Sequence, residues 1–152
     1  MVYSCLLSRG IYLVRDDMDN SFGEPRPLID RHGYASQELV NLLLLGRAHS
    51  NVFDGERVVD GEESNERVVL TGVPTRGRVG FLTLFEAYKY VEVGNNFKTP
   101  EAPVWVVCSE SHYSVLFSTD NGYANDRGGD CSGMTPQSFD LEYYDGLAEQ
   151  DE

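Results

Sequence analysis

Apolar residues fall along this chain in short groups of differing spacing, and the spacing predicts the elements. Leu39, Leu42 and Leu43 share one helical face. Ser36 is placed to cap the first turn, Glu38 sits at its positive end, and Gly46 ends the last turn, so a helix is predicted over residues 36–45. Phe81, Leu84, Phe85 and Tyr88 repeat that spacing and predict a second helix over 81–88. Residues 104–108, a β-branched and aromatic run around Trp105, read as a buried strand. Polar and apolar residues alternate over 112–118, a second strand, with Ser109-Glu110-Ser111 as the hairpin connection. Residues 139–144 read as a third strand. The apolar run over 6–14 suits either a strand or the tail of a helix, and periodicity alone does not choose.

Polar segments separate these elements. Residues 15–20 form a polar turn, and Pro25 and Pro27 keep the following segment extended. Phe53-Asp54-Gly55 signals a turn, and the acidic stretch 56–66 reads as an exposed loop. Residues 119–137, rich in Gly, Asp, Asn and Ser, read as a second exposed loop. Helices early and strands late favour a single α+β domain over 1–152 with a late antiparallel sheet.

Charge narrows the function. With 12 basic and 25 acidic residues the formal net charge is −13. That argues against a non-specific nucleic-acid binder, which needs clustered cations, and against docking on an anionic membrane. It favours steering of a basic partner. No segment reaches the roughly 18 apolar residues of a membrane span, and the start lacks a basic leader. Cys5, Cys108 and Cys131 form no CxxC pair, so neither a zinc site nor a disulfide framework is expected, and no cofactor is. A reducing compartment, cytoplasmic or nuclear, fits that usage.

Among the candidate chemical groups, His32 and His49 lie in turn-like contexts with no ligand at metal spacing. His112 opens the alternating strand. Period two places it with Ser114, Leu116 and Ser118 on the more polar face, and turns Tyr113, Val115 and Phe117 towards a core. An imidazole fixed there is held for proton transfer, although single histidines on sheets are common. Cys108 and Cys5 read as core residues, and Cys131 lies in a loop unsuited to hold a nucleophile. Asp145, after the last strand, is placed to orient an imidazole on a neighbouring strand, while Asp145-Gly146 also reads as a simple turn.

Several blocks resemble the MINDY deubiquitinases. They are Arg31-His32-Gly33-Tyr34 with the helix that follows; Ser50-Asn51-Val52-Phe53-Asp54-Gly55; Gly80-Phe81-Leu82-Thr83-Leu84-Phe85-Glu86; the stretch 98–117; and Phe139 onward through Tyr144-Asp145-Gly146. The branch resembled is the one lacking the ubiquitin-interacting motif. The resemblance implies a papain-like cysteine protease fold and cleavage of isopeptide bonds in lysine-linked polyubiquitin of the proteasome-targeting type. It implies that His112 is the catalytic histidine, general base and then general acid.

The family's nucleophile lies upstream, in a Gln-Gly-Gly-Pro-Cys type motif that opens a helix and supplies an oxyanion donor. No counterpart stands here, Ala35 occupies a position usually held by cysteine, and 119–137 diverges in composition. The expectation is therefore the C-terminal half of a catalytic domain, inert alone towards amides. The other reading is a non-catalytic ubiquitin-binding or scaffold protein. In it Glu110, Asp140 and Glu142 line a groove for ubiquitin's arginine-bearing tail.

Overall fold

The computed structural model describes residues 1–19, 26–60, 67–119 and 138–148. The ambiguous first run is helical: α1 spans Val2–Arg9 and α2 spans Ile11–Asp17. Between them Gly10 takes φ 90, a left-handed conformation that other residues reach only with strain, so the helix breaks there. Arg9 closes the corner by a paired contact to Asp17, at 2.9 and 2.6 Å. Val14 and Met18 pack with Leu42 and Ala48, and Cys5, Leu6 and Leu28 flank that small core.

The helix expected around Leu39 is α3, Gln37–Leu45. The Ser36 hydroxyl accepts the Leu39 N–H at 3.3 Å, and Gly46, at φ 72, ends the last turn. Asn41 is fully buried within α3. Its amide donates to the carbonyls of His49 and Asn51 at 2.7 and 3.0 Å, which fixes the segment after the helix.

Several expectations need correction, among them the polar turn over 15–20, whose first three residues continue α2 to Asp17. The acidic loop over 56–66 is half wrong: β1, Glu56–Asp60, pairs antiparallel with β2, Arg67–Thr71. Val58 and Val59 face Val69 and Val68 across that ladder, and cross-strand valine pairs outweigh the flanking charge. Residues 61–66 and 120–137, with Cys131, lie outside the described residues. The helix over 81–88 is instead β3, Gly80–Thr83, followed by the single turn α4, Leu84–Ala87. Phe81 mimics a helical position but lies 1% exposed inside the strand, and Thr83 accepts the Phe85 N–H to start the turn.

The sheet is also not wholly antiparallel. A short helix, α5 (Asn95–Lys98), leads into β4, Val104–Ser109, which runs parallel to β3. Then β5, His112–Phe117, and β6, Glu142–Tyr144, add antiparallel, in the order β3-β4-β5-β6. The third strand is thus shorter than the 139–144 expected. The class is α+β, with a mixed sheet.

Register sorts the sheet into two faces. Phe81, Val106 and Cys108 share the face that joins Val40, Val52, Val73, Val93 and Phe97 in the main core. Tyr113, opposite Cys108, lies on that side too, yet at the strand's end it is 39% exposed. The face of His112 is not simply open: Trp105, Ser114 and Ser118 are buried.

Candidate functional site

His112 is the first residue of β5, paired with Ser109 across a turn in which Glu110 takes φ 57. Asp145 follows the last residue of β6. Since Val115 pairs with Tyr144, one further step of the register sets Asp145 beside Ser114, on the His112 face. Diagonal neighbours of that kind lie within side-chain reach. The result is a contact of 2.9 Å between His112 Nε2 and Asp145 Oδ2. Both are half-screened, with side chains 34% and 18% exposed.

A third group steadies the carboxylate. Asp145 Oδ1 accepts the Leu147 N–H at 3.0 Å. That bond, and then the His112 ring, hold the Asp145 carboxyl below its ordinary pKa against the opposing effect of desolvation. The sequence reading does not anticipate the Leu147 amide. Its signal is the Asp-Gly pair, because aspartate in such turns accepts from the backbone two residues on.

With Nε2–H donated to Asp145, the lone pair of the uncharged ring lies on Nδ1. No described residue hydrogen-bonds to Nδ1, so that nitrogen is the one left for a reacting proton.

The two described cysteines stand apart from this pair. Cys108 points to the opposite face of the sheet, 6% exposed, with its sulfur 3.5 Å from the Glu110 carbonyl. Burial, then the neighbouring Cys108, push the Tyr113 hydroxyl up to about 12. Cys5 packs beside the α1–α3 core. Neither of these described cysteines is hydrogen-bonded to His112.

The other histidines are also elsewhere. His32 lies exposed in a turn, where Asp30 accepts its N–H at 2.8 Å and Arg31 contacts its ring. His49 is 5% exposed with neither ring nitrogen hydrogen-bonded, and burial lowers its pKa.

The conserved domain of deubiquitinating enzyme MINDY-3/4 matches residues 1–152. The chain belongs to the MINDY-3/4 family. It is 47% identical over 152 residues to probable ubiquitin carboxyl-terminal hydrolase MINDY-4 of Homo sapiens, covering 100% of this chain and 19% of that protein. Over 151 residues it is 46% identical to the Xenopus tropicalis protein of the same name, covering 99% of this chain and 19% of that one. Ubiquitin carboxyl-terminal hydrolase MINDY-3 of Bos taurus is 43% identical over 120 residues, which cover 78% of this chain and 25% of that protein. The chain thus spans about a fifth of the length of the MINDY-4 relatives. No solved structure matches it.

Much of the MINDY resemblance is architectural in this structure. Asn51, in the block over 50–55, donates to Asp19 and to the Thr71 carbonyl, tying the end of α2 to β2. Asp54 accepts the N–H groups of Asn95 and Asn96 at 2.7 and 2.9 Å, which starts α5. The His112–Asp145 pair is different in kind: an imidazole held by a carboxylate is an arrangement able to transfer a proton.

Proposed function

We propose that this chain supplies the histidine–carboxylate half of a thiol-dependent deubiquitinating site. The observation that carries the reading is the 2.9 Å contact between His112 Nε2 and Asp145 Oδ2, which leaves Nδ1 to face a nucleophile. The nucleophile is a cysteine on polypeptide outside these 152 residues, and the combined fold is papain-like. The substrate is lysine-linked polyubiquitin of the proteasome-targeting type, and the setting is cytoplasmic or nuclear.

The steps follow from the pair. Nδ1 takes the thiol proton as the sulfur attacks the isopeptide carbonyl, and Asp145 stabilises the resulting imidazolium. His112 then gives that proton to the leaving lysine amine as the carbon–nitrogen bond breaks, which leaves a thioester. Water, deprotonated by Nδ1, attacks the thioester and restores the thiol. A positioned acid and base of this sort contributes about 10²–10⁴-fold. Without thiolate and oxyanion donor, the isolated chain is inert towards amides.

The test is to co-express the cysteine-bearing upstream half and assay chain cleavage, with His112→Ala as control. Cleavage with the parent and not with the alanine variant, each in the presence of the upstream half, supports the reading, and equal cleavage by the alanine variant removes His112 from the mechanism.

A second reading is favoured by the turning of Cys108 away from His112. In it the chain is a non-catalytic ubiquitin-binding or scaffold protein, and the exposed Glu110, Asp140 and Glu142 meet an arginine-bearing tail. Retention of mono- or polyubiquitin by this chain alone supports it. Absence of binding at about 300 μM excludes any affinity of functional use.

A further inference from the structure

We propose that Lys89 is the acceptor at which this chain is itself conjugated, through an isopeptide bond, to ubiquitin. That the acyl group is ubiquitin rests on the deubiquitinating reading above; that the acceptor is Lys89 rests on local geometry. The sequence holds two lysines, Lys89 and Lys98. Lys98 Nζ lies 2.7 Å from Glu86 Oε1, a contact that holds the Glu86 carboxyl below its ordinary pKa. An ammonium engaged in that way must leave its carboxylate before it can attack. Lys89 is exposed, and no described residue pairs with its ammonium.

The turn that carries Lys89 favours glycine. After α4, Tyr90 N–H donates to the Phe85 carbonyl and Lys89 N–H to that of Glu86, both at 2.9 Å, and the Phe85 and Tyr90 rings pack at 6.4 Å. These are the paired bonds and the apolar contact that close a helix end around one left-handed residue, most often glycine. Here that residue is Lys89, at φ 62, so a lysine bears backbone strain at the tip of the turn. Tyr88 and Tyr90 beside it are 51 and 77% exposed. Glu86, Lys89, Tyr90, Val91 and Glu92 line an open cavity of about 410 Å³. Arg57 engages Glu92 at 2.8 Å and Lys98 engages Glu86, so Lys89 is the uncommitted charge on that wall. An exposed tip gives room to a globular acyl donor, and the cavity gives room to the extended chain end that bears its carbonyl.

In the transfer, the uncharged ε-amine attacks the carbonyl of a ubiquitin thioester. The carbon–nitrogen bond forms, the carbon–sulfur bond breaks, and the carrier leaves as a thiol with the proton that the amine sheds. The new bond is of the class that the complete site is proposed to cleave.

The test has two arms on this 152-residue chain. Under limiting acetic anhydride, peptide mapping should find Lys89 acetylated about fivefold faster than Lys98 in the folded chain, with the difference lost in urea. With ubiquitin, activating enzyme, ATP and a conjugating enzyme that needs no ligase, one lysine conjugate is expected, at Lys89. Discharge onto free lysine in the same mixture verifies the carrier. The conjugate is lost in Lys89→Arg, which keeps the charge and the parent's melting curve, and is kept in Lys98→Arg and His112→Ala. Equal acetylation of the two lysines in the folded chain, ubiquitin transfer shared with Lys98, or no transfer to Lys89 overturns the proposal. Transfer to Lys89 in a chain that, with its upstream half, leaves polyubiquitin uncut supports the acceptor site and overturns the catalytic reading.

Discussion

Replacing Asn41 with leucine keeps the side-chain volume of a fully buried position and removes its hydrogen bonds. The amide serves the carbonyls of His49 and Asn51, and its oxygen accepts from Gln37 at 2.9 Å. The His49 bond is buried, so its carbonyl loses its donor with no water to replace it. A buried unpaired acceptor costs about 1–3 kcal/mol. The Asn51 carbonyl is part-buried and recovers some hydration, adding about 1 kcal/mol. The partly buried Gln37 contributes least. Together the loss is about 2–4 kcal/mol, a lowering of Tm by roughly 4–16 °C for a chain of this size. Thermal and urea unfolding followed by circular dichroism measure it, and Gln37→Ala, removing only the outer bond, should cost under about 1 kcal/mol. An Asn41→Leu protein within about 0.5 kcal/mol of the parent would refute the assignment of Asn41 as the tie between α3 and the segment that follows.

Acid should destabilise the fold in two stages. Burial holds the His49 pKa below its ordinary value of 6.5, so the unfolded chain binds that proton first and stability falls as pH drops below about 6.5. Asp17 is held below 3.8, with Arg9 and the Ala48 N–H outweighing burial. Its contribution is full above about 3.8 and is lost as pH falls through the lower folded value. His49→Gln should flatten the first stage and Asp17→Asn the second, read from urea midpoints across pH. Unchanged slopes in both variants would refute the assignments. Gly80→Ala should destabilise by about 1–3 kcal/mol, because its methyl group overlaps the Trp105 ring and the Phe97 carbonyl, and a neutral result in the same melt would contradict that packing.

What the sequence made legible was set by local chemistry. Ser36 and Gly46 each act within one turn, so α3 could be read from its own residues. The alternation over β5 and the run over β4 likewise carried their strand character. The first apolar run was ambiguous because its outer face is apolar as well, Tyr3 and Leu7 being exposed, so no polar stripe reveals the helical period. The strand β1 was hidden by its charges, since its partner valines lie across a ladder. Phe81 fell on a helical pattern only because β3 runs straight into α4. The parallel pairing of β3 with β4 leaves no mark in either segment. At the site, His112 stood out by its place on a strand. Its contact with Asp145 spans 33 positions and depends on the β5–β6 register, which the sequence does not display. The burial of His49 is a tertiary feature and had no local signal.

The proposed site rests on His112 offering Nδ1, with Nε2 engaged by Asp145, to a thiol from other polypeptide. Nitrogen-15 chemical shifts of the uncharged His112 ring in this chain test it most directly, with Asp145→Ala as the comparison. A protonated Nε2 and a bare Nδ1 are expected, with loss of that fixed tautomer in the variant. A ring protonated at Nδ1, or one unchanged by removal of the carboxylate, would contradict it.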